Sequence, residues 1–160
     1  MMYQSTKTYG NDRGLSCAFR QWRADSHCNL IHGYSLGFRF VFEATQLDKR
    51  NWVYDFGNCK WIKQFLEDNF DHTLAIDEND PELNVFMGLE KFNLANVVVM
   101  DGVGCEKFAE HVFSYVSPQI SEQTNFRVRL YSVEVFEHGA NSAICINPVS
   151  VYPIEEYKYI

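Results

Sequence analysis

Residues able to do chemistry gather at four places in this sequence. The first is Ser26-His27-Cys28-Asn29-Leu30-Ile31-His32-Gly33-Tyr34, where a thiol sits four residues before an imidazole, just ahead of a strand-like run. Such a thiol can act as a thiolate with a nearby acid–base partner. The two histidines are also candidate metal ligands, and the trio can equally be structural. The second place is Asp71-His72. A carboxylate beside an imidazole orients the ring and stabilises its charged form, which makes a proton shuttle near neutral pH. The plainer reading is that Asp71 ends a helix and His72 lies at the surface. The third is Glu137 in Glu134-Val135-Phe136-Glu137-His138-Gly139, where strand parity puts Glu134 and Glu137 on opposite faces. A carboxylate at a strand end can accept two parallel N–H bonds from a flat amidine-like edge, as a pterin or guanine presents, or simply be solvated. The fourth is Gly102-Val103-Gly104-Cys105-Glu106, whose free N–H groups could face an anion.

These residues need elements to hold them. Tyr34, Leu36, Phe38, Phe40 and Phe42 alternate with mostly smaller or polar residues, so the period of two predicts a strand. Leu15 to Trp22 reads as an earlier strand, linked to it by the polar stretch Arg23 to Asn29. Trp52 to Tyr54 reads as a short extended piece. Trp61, Ile62, Phe65 and Leu66 then recur at helical spacing and predict a helix over residues 57–70. Between Asp77 and Asn96 a polar segment carries a short helix opening at Asp80-Pro81, with Asp as cap and Pro in the first turn. Val97 to Met100 is strand-like. Cys105 to Val116 reads as a helix stopped by Pro118. Phe126 to Glu137 alternates again, and Asn141 to Asn147 returns beside it after a turn at Gly139. Two strands, two helices and two strands make an α+β pattern in one domain over residues 1–160, with residues 1–13 as an N-terminal extension and 77–96 as an insertion.

Bulk properties narrow the class. At 160 residues one domain can bury a working core. Aromatic residues reach 16 %, which fits a tightly packed sheet, a subunit interface or flat ligands held between rings. A net charge of −7 argues against nucleic acid as a partner, because neutralising phosphates needs clustered Lys and Arg. No apolar run approaches the length of a membrane span, and the polar start from Met1 to Thr6 lacks the apolar core of a signal peptide. Five cysteines, an odd number without a Cys-x-x-Cys pair, point to reduced thiols in a cytoplasmic protein. Most of them would be small core residues; Cys28 stands apart among polar and imidazole neighbours.

Taken in order, these landmarks resemble a known family. Ala18-Phe19-Arg20, Cys28 with Leu30-Ile31-His32-Gly33, Trp52-Val53-Tyr54-Asp55-Phe56, Phe70-Asp71-His72, Glu106 and Glu137 look like the successive marks of the 6-pyruvoyl-tetrahydropterin synthase / 6-carboxy-tetrahydropterin synthase family. The resemblance runs from about Leu15 to Cys145. It implies the tunnelling fold, in which ββααββ subunits with antiparallel sheets assemble into barrels as homo-oligomers, trimers or hexamers. It implies that Cys28 is the catalytic thiol, that Asp71 and His72 are its proton-transfer partners from the neighbouring subunit, and that Glu137 anchors the pterin ring. Glu106 would be a second acidic mark near the pocket. The implied substrate is a reduced pterin, 7,8-dihydroneopterin triphosphate, which loses triphosphate as its side chain is rearranged or cleaved. In bacteria that chemistry lies on the route to queuosine. No nucleotide cofactor is implied.

The chain departs from the family where a metal belongs. The resemblance implies zinc held by three histidines, yet the first position is Phe19 and the last is Tyr34, leaving His32 alone. A phenyl group cannot ligate a metal, and one imidazole with a phenol makes an incomplete zinc site. Zinc is therefore left open. His27 could move in beside His32, Cys17 could supply a soft ligand, or Arg20, Arg23 and Tyr34 could serve as hydrogen-bond donors in a metal-free pocket. A binder of pterins or purines that has lost catalysis is the alternative to an enzyme.

Overall fold

Alternation in the first long apolar run produces β3 (His32–Ala44), the frame on which the other strands assemble. The computed structural model describes residues 1–147. Around β3 lie β1 (Tyr3–Tyr9), β2 (Leu15–Phe19), β4 (Thr73–Asp77), β5 (Val97–Met100), β6 (Arg129–His138) and β7 (Asn141–Ile146), with helices α1 (Lys60–Phe70), α2 (Leu83–Lys91) and α3 (Cys105–Gln123). The sheet order is β5-β4-β2-β3-β6-β7, with β1 also paired to β3. At 13 residues β3 is long enough for β2 to occupy its first half and β1 its second, while β6 runs along the other edge.

The sheet is mixed rather than antiparallel throughout, because β2–β4 and β4–β5 are parallel. A parallel pair needs a crossover, and residues 78–96 supply it by carrying α2 from β4 to β5. The insertion read from the sequence thus contains a helix, which opens at Leu83, two residues beyond Pro81. Strand β4 was hidden because Thr73, Leu74, Ala75 and Ile76 are all buried and give a short run without alternation. The N-terminal extension carries β1, whose exposed Gln4, Thr6 and Thr8 alternate with half-buried Tyr3, Ser5 and Lys7.

One face of the sheet takes the helices. Phe38, Phe40 and Phe42 point into it fully buried, with Phe70 of α1 set 5.0 Å from Phe38 and Phe108 of α3 set 5.2 Å from Phe70. Each such ring contributes roughly 1.5–3 kcal/mol by leaving water. The opposite face is polar and ion-paired: Arg39 with Glu134, Arg129 with Glu43, and Gln4 donating to Glu43 at 2.8 Å. Among the described residues no helix is long and apolar enough to cross a membrane, and all five cysteines are unpaired.

Two expectations are corrected. Pro118 does not stop α3, which continues to Gln123. Proline costs about 3 kcal/mol inside a helix. Here Pro118 and Ser114, whose carbonyl loses its partner, are both exposed to water, while Val112, Val116 and Ile120 on the other side are fully buried. Their burial outweighs the lost bond. Nor do Trp52 to Tyr54 form an extended strand. The Asp48 carboxylate accepts the N–H groups of Arg50 at 2.8 Å and Trp52 at 2.9 Å, and this local turn competes with strand geometry.

Candidate functional site

The strand ends of β3 and β6, the first turn of α3 and the loop after β2 meet at one end of the sheet. Cys28 lies in a short 3-10 turn, His27–Asn29, capped by Ser26, whose hydroxyl accepts the Cys28 N–H at 3.3 Å. Gln21 latches this loop at both ends. Its backbone N–H donates to Cys28 O at 2.9 Å, and its side-chain amide donates to Val103 O at 2.6 Å, in the loop before α3. The approach needs Gly104, with φ of 102°: a Cβ there would collide with the Gln21 amide.

His32 and Tyr34 follow on one face of β3. The His32 Nδ1–H donates to Leu30 O at 2.8 Å, which leaves Nε2 as an acceptor. Tyr34 lies 5.7 Å from the His32 ring and 6.0 Å from the His138 ring. Burial, and then the charges of Glu137, Cys28 and Cys105, push the Tyr34 phenol above its ordinary pKa, so all three groups sit within electrostatic reach of its hydroxyl. It is a neutral donor at physiological pH.

Strand parity places Glu137 on the face of β6 that carries buried Val133 and Val135, opposite Glu134. The β6–β7 register shifts between Phe136 and His138, so Glu137 has no partner on β7. Its charge reaches Cys105 at the start of α3. The Cys105 thiol is pushed up to about 12 by burial and by the Glu137 and Glu106 carboxylates, so it stays protonated. Glu106 itself is exposed in the first turn of α3, where its charge suits the helix N-terminus. Glu134, as parity required, is on the other face.

Asp71 and His72 are together but elsewhere. Asp71 ends α1, its N–H donating to Glu67 O, and His72 follows with φ of 55°. That turn brings His72 Nδ1 to 2.7 Å from Asp71 Oδ1, while the imidazole side chain remains 86 % exposed. Both plain expectations for the pair, a helix end and a surface residue, coexist with the oriented carboxylate–imidazole. Asp71 borders a cavity of about 120 Å³ with Tyr9 and Leu15, at the start of β2, whereas Cys28 lies beyond the end of that strand. One chain therefore does not bring the pair to Cys28. A larger cavity, about 470 Å³ and bordered by Tyr3, Trp52, Tyr54 and Phe56, lies near the far end of β3 and contains none of the candidate residues.

The metal expectation is tested by the donor set. Phe19 pairs across from His32, and the rings of Phe19, His32 and Tyr34 pack within 4.9–6.1 Å of one another. Phe19 is buried and packed edge-on against Phe108 at 5.2 Å. The buried Cys17 thiol donates to Ala18 O at 3.7 Å, and His27 is exposed on its turn. Among the described residues no three His, Cys, Asp or Glu side chains are grouped to hold a metal ion. The residues present do not fit a three-histidine zinc centre.

Sequence reasoning missed Gln21 and Cys105 as site residues, and it missed a clamp. Arg20 makes a two-pronged pair with Asp80, at 2.8 and 2.6 Å, and the Trp22 indole donates to Asp77 at 3.0 Å. These contacts tie the start of the Cys28 loop to the end of β4 and to the segment that leads from it to α2. The Asp80–Pro81 cap signal was visible, but the partner 60 residues away was not.

Comparisons with known proteins bear on the family and the fold. The family model described as 6-pyruvoyl tetrahydropterin synthase matches residues 11–147. The 6-carboxy-5,6,7,8-tetrahydropterin synthase of Rickettsia bellii is 26 % identical over 112 residues, 69 % of this chain and 78 % of that protein. An uncharacterized protein from Wolinella succinogenes superposes with a TM-score of 0.79 at 20 % identity, covering 92 % of this chain and 99 % of that one. A catalytic-residue mutant of Plasmodium vivax 6-pyruvoyltetrahydropterin synthase gives a TM-score of 0.66 at 12 % identity, with 92 % and 98 % covered. The match of the family model over most of the chain, on a fold these structures share, shows that the chain belongs to the 6-pyruvoyl tetrahydropterin synthase family.

Proposed function

We propose that this chain is a pterin-converting lyase that acts on 7,8-dihydroneopterin triphosphate or a related reduced pterin, with loss of triphosphate. The observation that carries this reading is the meeting of the Cys28 loop, the start of β3 and the end of β6 at one end of the sheet, where the Tyr34 ring lies 6.0 Å from that of His138, the residue after Glu137. A carboxylate near the end of a strand, as Glu137 is, can accept two N–H bonds from the pterin's amidine edge. That anchors the ring and presents its side chain toward Cys28, where a thiolate would move a proton at carbon. The oriented Asp71–His72 pair completes the proton path when a second copy brings it to the pocket, which makes the working unit a homo-oligomer. Queuosine formation is the pathway this chemistry would serve in a bacterium.

A second reading has its own support. Phe19 and Tyr34 stand where the family resemblance implies metal ligands, which favours a pterin or purine binder without catalysis. Replacing Cys28 separates the two. In the enzyme reading, Cys28→Ala abolishes turnover of 7,8-dihydroneopterin triphosphate while leaving its affinity within about threefold. Wild-type protein that binds the pterin yet never turns it over establishes the binder instead.

A further inference from the structure

The three positions that would form a metal tripod instead form an aromatic wall. Phe19 and His32 face each other across the β2–β3 ladder, and Tyr34 stands two residues along from His32 on the same face. Zinc needs nitrogen, sulfur or oxygen donors at close to tetrahedral positions, and a phenyl ring offers none. Phe19 is fixed in place by its edge-on packing against Phe108, so no neighbouring donor can enter at that position. Of the other groups weighed for this role, Arg20 is held by Asp80, Arg23 stacks 4.3 Å over Trp22, the Cys17 thiol donates to Ala18 O at 3.7 Å, and His27 is exposed on its own turn. Tyr34, by contrast, stands between the His32 ring at 5.7 Å and the ring of His138, the residue after Glu137, at 6.0 Å.

We infer that this site works without zinc, and that the Tyr34 hydroxyl donates a hydrogen bond to the substrate oxygen that a metal would otherwise polarise. The role of Tyr34 rests on the pterin reading; the absence of a zinc requirement rests on the donor set alone. A preorganised neutral donor aimed at developing negative charge supplies the kind of stabilisation a Lewis acid gives, with less strength but no need for a ligand set.

The test measures zinc directly, before any substrate is added. Purified wild-type protein is incubated with zinc, desalted and assayed by inductively coupled plasma mass spectrometry, beside Phe19→His/Tyr34→His and His32→Ala. Wild type should retain less than roughly a tenth of an equivalent, and the paired substitution, which rebuilds three imidazoles on one face, about one per chain. Near-stoichiometric zinc in wild type that His32→Ala removes would overturn the inference. Cobalt(II) titration of wild type decides the matter if the paired variant does not fold: a tetrahedral visible band contradicts it and a featureless spectrum supports it. For the hydroxyl, Tyr34→Phe should lower kcat about 100-fold with KM nearly unchanged, in chelator as in buffer. Undiminished kcat in that variant would remove Tyr34 from the role. Lack of pterin turnover in every sample would count against the proposed function while leaving the zinc measurement valid.

Discussion

At the scale of single residues, the site depends on one carboxylate placed where the sheet pattern breaks. Glu137 is half-buried and without a partner on β7, and Tyr34 and Cys105, both within reach of its charge, are protonated at neutral pH. Removing its charge should weaken binding without disturbing the core. Glu137→Gln keeps the shape but loses a charge-assisted pair of bonds, for an expected loss of roughly 1.5–3 kcal/mol, or about 10- to 150-fold in Kd. Fluorescence titration with 7,8-dihydroneopterin measures this, and an unchanged Kd would take Glu137 out of the anchoring role. Cys28, His32 and Glu137 were legible because each sits in a short local motif. Cys105 was not, since as a sequence position it looks like any core thiol. Its meaning comes from burial together with the charges of Glu106 and of Glu137, the latter on a distant strand.

At the scale of elements, the loop that bears Cys28 is held from outside by the segment between β4 and α2. Asp80 has a nearly buried side chain, and the Arg20 guanidinium followed by the Glu82 N–H holds its carboxyl below the usual carboxylate range. A depressed folded pKa means the contribution is fully present above the unfolded value, about pH 4, and is lost as pH falls through the folded value. Asp80→Asn should therefore cost about 3 kcal/mol at pH 7, because Arg20 loses its partner, and the difference from wild type should shrink in acid. Thermal melts between pH 3 and pH 7 check both points, and equal melting at pH 7 would remove the clamp from the account. The strands with clean alternation, β3 and β6, were readable from sequence, as were α1 and the first part of α3. Strand β4 was not, because burial on both faces erases the period; nor was β1, whose polar composition masks its register. The continuation of α3 past Pro118 depends on which side of the helix faces water, and that is decided only by the tertiary fold.

At the scale of the whole molecule, the two halves of the chemistry lie at different places on one chain. Cys28 sits beyond the end of β2 and Asp71 by its start. A shared site predicts complementation. Cys28→Ala and His72→Ala should each be inactive alone, yet co-refolded in equal amounts they should recover about a quarter of wild-type activity, from interfaces that pair an intact thiol with an intact imidazole. Continued inactivity of the mixed oligomer, confirmed as mixed by native mass spectrometry, would contradict a site built from two copies. The measurement that bears most directly on the central claim is product analysis of wild-type protein given 7,8-dihydroneopterin triphosphate in the presence of a zinc chelator. The account predicts a tetrahydropterin product by mass spectrometry, with triphosphate released in equal amount. Unchanged substrate, with and without added zinc, would contradict it.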